Sequence, residues 1–217
     1  MSIPKFVKKY IEEEGIKRVE ETIARVEKHT SAELVAVVVK NSSTTGHVPA
    51  IILLLGLVLY FIFDVRLLEE KYLGFLQITF IPYLLLLLIA TFLLNQLDWV
   101  KRMLTPAWDQ GEQVEKRALL EFYQSNIKKT KDGTGILFFI SVLERKAIVL
   151  ADQIICDQLP ADTWTAMVNL ITSGMKQKDL ASGLEKALIN SGNILKPLFP
   201  VQLGDIDELP NKLIIKE

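Results

Sequence analysis

Apolar positions along this chain recur in three distinct patterns. Ile3, Phe6, Val7, Tyr10 and Ile11 fall at helical spacing, predicting a short amphipathic helix over 3–13 that Gly15 ends. Ile16, Val19, Ile23 and Val26 predict a second helix over 16–29. Val114, Ala118, Leu119 and Phe122 mark a longer one over about 109–128, and two more are expected around 162–175 and 178–192. The second pattern is strand-like. Residues 34–39 are β-branched and almost continuously apolar, as in a strand buried on both faces. Residues 135–142 and 145–151 read the same way, and the short link at Leu143 and Glu144 fits an antiparallel hairpin. Together these elements predict an α/β domain with a small mixed sheet. Residues 201–217 read as a weakly structured tail.

The third pattern is unbroken hydrophobicity. Residues 48–63 hold 14 apolar residues of 16, and residues 78–94 hold 14 of 17, with no charge in either. The second block lies inside 72–97, which is free of charge throughout. As helices, residues 48–63 would reach roughly 24 Å and residues 72–97 roughly 39 Å, against a hydrocarbon core of about 30 Å. A soluble core helix rarely keeps every face apolar for so long. A transmembrane hairpin is therefore expected, with spans at about 47–63 and 76–97. Eight Lys/Arg precede it, Lys101 and Arg102 follow it at once, and the link between the spans leans acidic. The positive-inside rule then puts both termini and the soluble domain in the cytoplasm. Tyr60, Tyr72, Trp99 and Trp108 lie near the span ends, where aromatic belts sit. No Asp, Glu, Lys, Arg or His lies inside residues 48–63 or 76–97, which argues against a transporter built from this hairpin alone.

The strand at 34–39 has no partner before the hairpin. A two-helix excursion returns the chain to its starting side, so residues 1–46 and 105–200 are expected to form one discontinuous domain around an inserted hairpin, 47–104. Two independent domains are the alternative, but the first would bury too little core.

Composition adds exclusions. Half the residues are hydrophobic and 24% are charged, with a formal net charge of -1. That balance gives no global attraction to nucleic acid. A single cysteine, Cys156, excludes an intrachain disulfide and reads as a buried, inert thiol. No cleaved leader is visible, because residues 1–47 are charged throughout.

Several short motifs, in order, carry a family resemblance. They are His29-Thr30-Ser31-Ala32-Glu33-Leu34, the run from Thr130 to Leu137, Ser141-Val142-Leu143-Glu144-Arg145, and Ala151-Asp152-Gln153-Ile154-Ile155. This order resembles the TPM domain family, over about 16–40 and 110–200. The resemblance implies a Rossmann-like α/β/α sandwich. The family includes lumenal members with reported acid phosphatase activity and bacterial inner-membrane proteins often encoded beside LemA-type proteins. By analogy, a phosphatase-like activity and a LemA-type partner are implied. Many members carry Asp-Asp-Arg where this chain has Leu143-Glu144-Arg145.

The residues themselves name no catalytic set. Glu144 and Arg145 sit at a strand–strand turn, where a charged pair can clamp an anion but is more often simply solvated. Glu33 opens the first strand and is placed to meet Arg145 across the sheet end as a structural ion pair. Asp152, Asp157 and Asp162 follow the third strand. Calcium takes several oxygen ligands, so Glu144, Asp152 and Asp157 form the candidate metal set, although their spacing is not that of an EF-hand. Helix capping and loop solubility are the plainer reading. His29 and His47 lack zinc-ligand spacing. The expected function is a membrane-anchored interaction or assembly module at the cytoplasmic face of the inner (plasma) membrane, with a protein partner and self-association open to it. A metal-dependent phosphatase-like hydrolase is the alternative, and a small oligomeric pore the third.

Overall fold

The computed structural model describes residues 3–62, 80–125, 127, 133–160, 162–201 and 209–217. They form two compact units: Met1–Ser42 with Gly111–Glu217, and Ser43–Gln110.

The first unit is built on a four-stranded sheet. Its strands are β1 (Glu33–Val39), β2 (Gly135–Ser141), β3 (Lys146–Ala151) and β4 (Leu213–Lys216), in spatial order β3-β2-β1-β4. β1 is parallel to both neighbours, and β2 and β3 pair antiparallel, as their short link predicts. Every residue of β1 and β2 is buried, because helices cover both sheet faces. Side chains alternate along a strand. Leu34, Ala36 and Val38 of β1, with Ile136, Phe138 and Ile140 of β2, face α2 (Glu13–Glu27), α8 (Asp162–Gln177) and α9 (Leu180–Leu195). Val35, Val37 and Val39, with Leu137 and Phe139, face Val114, Ala118 and Phe122 of α6 (Ala107–Gln124). Two short helices complete the unit, α1 (Lys5–Lys8) and α7 (Gln153–Cys156).

Two local expectations are corrected. Residues 201–217 are not a weakly structured tail throughout: β4 adds to the free edge of β1, pairing Ala36 to Val39 with Leu213 to Lys216. Leu213 is buried, its N–H donates to Glu20 Oε1 at 3.2 Å, and Lys40 N–H donates to Lys216 O at 3.1 Å. Gly15 does not end the first helix either. It lies inside α2, where an added Cβ would stand 2.9 Å from Ala181 Cβ and 3.0 Å from Ile11 Cγ1. The glycine serves close packing of α2 against the start of α9, not chain termination.

The second unit holds α3 (Val48–Ile62), α4 (Phe80–Leu94), α5 (Asp98–Leu104) and the first turn of α6. α3 and α4 meet at Gly56, where a Cβ would overlap Leu87 Cδ1 at 2.2 Å. Tyr83 Oη donates to Gly56 O at 2.6 Å, and Tyr60 packs on Tyr83 and Phe80 with ring centroids 4.8 and 5.4 Å away. Tyr60 is thus buried in the helix pair. The expected second span to residue 97 is cut short: α4 stops at Leu94, and the chain turns 100° through 95–97 into α5. α3 and α4 have 15 residues each, roughly 22 Å. Among the described residues, no single helix is long and apolar enough to cross a membrane. The expected link at 64–77 and Tyr72 lie outside the described residues.

Candidate functional site

The parallel pair β1–β2 gives the sheet two chemically different ends, and the residues singled out in the sequence divide between them. At the amino-terminal end, Thr30 Oγ1 donates to Phe199 O at 2.8 Å, and Thr134 Oγ1 donates to Ser31 O at 2.8 Å. Glu27 Oε1 accepts from Leu34 N–H at 2.7 Å, and Glu33 Oε2 accepts from Leu209 N–H at 3.3 Å. Asp152 and Gly135 exchange two bonds, Asp152 N–H to Gly135 O at 2.9 Å and Gly135 N–H to Asp152 Oδ2 at 3.1 Å. The short polar motifs in 29–34, 134–135 and 151–152 therefore converge on this end. There they satisfy buried main-chain groups where β1 and β2 begin and β3 ends.

At the carboxyl end, Glu144 is 5% exposed. Its two oxygens accept from Ser42 N–H at 3.1 and 3.3 Å, and Ser141 Oγ donates to Oε2. Ser42 Oγ donates to Ser141 Oγ at 2.9 Å, giving a hydroxyl chain Ser42→Ser141→Glu144. Val142 N–H and Leu143 N–H reach back to Val39 O and Lys40 O. Open α/β sheets bind ligands at this end, beside a central strand flanked on both sides. β1 is that strand here. The carboxylate, however, is spent on fixing the exit of β1 against the 142–145 turn. Arg145 is exposed on that turn, in the left-handed region at φ 55°.

This division overturns the expected groupings. Glu144 follows β2 and Asp152 faces its first residue, so roughly 20 Å of strand separates them. Asp157 is exposed and accepts from Gln153 Nε2 at 2.8 Å. Glu144, Asp152 and Asp157 do not form one ligand set, and among the described residues no group of three or more His, Cys, Asp or Glu is placed to hold a metal ion. Calcium therefore finds no fitting donor set here. Glu33 and Arg145 lie at opposite ends of the same parallel pair, so the expected ion pair does not form.

Cys156 is exposed rather than buried. Partial desolvation, then the nearby Asp157 and Asp152 charges, push its thiol above the ordinary range, against a smaller opposing effect of its contact with Ala151 O at 3.5 Å. The thiolate is disfavoured, so this exposed thiol reacts more slowly than an ordinary one.

Sequence reasoning missed Glu121, which is 0% exposed on α6 and pairs with Arg117 Nη2 at 3.1 Å and Lys216 Nζ at 2.5 Å. It binds β4 to the helix layer. A signal existed: Glu121 falls on the stripe of Val114, Ala118 and Phe122, and an acid inside an apolar stripe calls for a buried cationic partner. Lys8, Lys9, Arg18 and Lys178 line a cleft of about 450 Å³ with Glu12, Glu14 and Asp179, a mixed-charge lining without Ser, Thr, Cys or His.

No family model and no curated protein sequence matches this chain. Among solved structures it is similar to the BA42 protein of the psychrophilic bacterium Bizionia argentinensis, determined by NMR. The TM-score is 0.59 at 20% identity, covering 95% of each chain. At that identity the likeness concerns the fold alone.

Proposed function

We propose that this chain is a membrane-anchored interaction module: a Rossmann-like, TPM-type α/β/α domain held at the cytoplasmic face of a membrane by the α3–α4 hairpin. The observation that carries the reading is the exposure of that hairpin. Thirteen large apolar side chains of α3 and α4 are exposed among the described residues, among them Leu54, Phe61, Leu86 and Phe92. Contiguous apolar surface on this scale marks an interaction or membrane surface. Transferring it from water is worth on the order of 10 kcal/mol. A protein partner is supported by the outer face of α6, where Leu119, Leu120 and Tyr123 are exposed. The hydrolase alternative rests on the family resemblance, without a gathered acidic set: Glu144 and Asp152 lie at opposite ends of β2.

The anchoring is tested in whole cells. The protein should remain with membranes after alkaline carbonate washing. In a Glu69→Cys variant, the introduced thiol should react with an impermeant reagent in intact cells, while Cys156 should react only after permeabilisation. Labelling of Cys156 alone in intact cells would invert the topology, and release by carbonate would end the anchored reading. A photo-crosslinker at Leu120 should yield one discrete adduct in native membranes, and no adduct would remove the partner.

A further inference from the structure

The α3–α5 unit has features that a plain hydrophobic anchor does not need. α4 and α5 meet at 100°. With α4 along a membrane normal, α5 lies in the membrane plane. The sequence of α5 divides to match. Trp99, Val100, Met103 and Leu104 line an apolar groove that continues along α3 and α4 past Leu94 and Ala90, while Lys101 and Arg102 occupy the other side of the helix together with Asp98, leaving that side one net positive charge. The groove holds about 440 Å³, within the range of small-molecule pockets, and no carboxylate lines it. Its one lining hydroxyl, that of Tyr83, is committed to Gly56 O.

A long apolar trough with two adjacent cations beside it matches an amphiphile with an acyl chain and a negatively charged headgroup. We propose that this unit binds an anionic phospholipid, with an acyl chain along the groove and the phosphate at Lys101 and Arg102. Long basic side chains reach headgroups while their stems stay on apolar surface. The proposal rests on the membrane-anchored reading and goes further, because anchoring alone asks for no headgroup charge.

The test uses the full chain in nanodiscs of phosphatidylcholine with about one-fifth phosphatidylglycerol, and native mass spectrometry of the lipids retained after detergent release. The ratio of phosphatidylglycerol to phosphatidylcholine retained should exceed the bilayer ratio about 20-fold, near fivefold per cation. The K101Q/R102Q double variant should fall to parity, and K101R/R102K should keep the preference. Ala90→Phe, which fills the groove, should lower retention of both lipids. Equal retention by the wild-type chain, an unchanged preference in K101Q/R102Q, or no effect of Ala90→Phe would overturn the proposal. Carbonate extraction of the same preparations separates the two ideas. A chain that stays in membranes without lipid preference overturns this site alone, whereas a chain that washes off overturns the anchor and the site together.

Discussion

β2 and α4 are both free of charge, and both are dominated by large apolar side chains. Every residue of β2 is buried, whereas Phe92 of α4 is 68% exposed and only Leu87 and Thr91 of that helix are buried. The sheet unit meets its hydrophobic demand internally, by placing helices on both faces. The hairpin leaves most of its demand to its surroundings. Composition is thus a poor guide to burial. What separates the two is whether a second layer exists to cover the apolar face.

The sharpest way to break this comparison is to cut the hairpin away. Joining Ser42 to Gly111 through about 12 Gly/Ser residues, roughly 19 Å of mean reach, removes the second unit. The remaining chain should stay monodisperse without detergent and unfold in one cooperative transition, while the full chain should need detergent or lipid. An aggregated or molten product would mean that the sheet unit depends on the hairpin for its core.

Much of the sheet unit was legible because its signals are local. Residues 34–39 and 135–142 announce strands through continuous apolar runs, and β1 and β2 occupy nearly those positions. β4 was not legible, because four residues reading LIIK carry no pattern of their own. They become a strand only through the edge of β1, more than 170 residues earlier in the chain. The candidate site failed for a related reason. Glu144, Arg145 and Asp152 are close in sequence, but β3 intervenes, and an extended strand carries its two ends far apart. Glu33 and Arg145 went astray because pairing β1 parallel, not antiparallel, with β2 decides which ends coincide. The short polar motifs did mark a real convergence, at a structural junction between strands.

A paired substitution sharpens the contrast next. Phe138→Ala opens a void in the middle of β2, where the ring is fully buried, and should destabilise the protein by about 3–5 kcal/mol. Phe92→Ala removes the same atoms from an exposed position and should change stability by less than about 0.5 kcal/mol. Denaturant melts in mild detergent measure both. Equal losses would show that the exposed face of α4 is covered within the protein itself.

Smaller again is the effect of Glu121→Gln. It neutralises a buried carboxylate and leaves Arg117 and Lys216 without their partner, though each is 36% exposed and can turn to water. A loss of about 2 kcal/mol is expected, below that for breaking a fully buried pair. It should appear in hydrogen exchange as lost protection across β4, with β2 and β3 unchanged. Uniform loss over the whole sheet would mean that Glu121 supports the core rather than the added edge strand.

The smallest effect belongs to a surface cap of the sheet unit. Asp179 precedes α9, and its carboxylate accepts from Ser182 Oγ at 2.7 Å and from Ser182 N–H at 3.1 Å. Those two bonds hold its pKa below the ordinary 3.8, with Arg18 and Lys186 adding to the shift. A carboxyl group whose folded pKa is depressed stabilises the fold above its unfolded pKa, and that contribution fades as pH falls through the folded value. Asp179→Ala should therefore lower stability by about 0.5–1 kcal/mol at neutral pH, and the gap to wild type should close below about pH 3.8. Asp179→Asn keeps a cap acceptor without the titration, so its stability relative to Asp179→Ala should stay level across the same acid range. If the Asp179→Ala gap persists at low pH, the loss comes from cap geometry alone, and the charge on Asp179 contributes nothing to the start of α9.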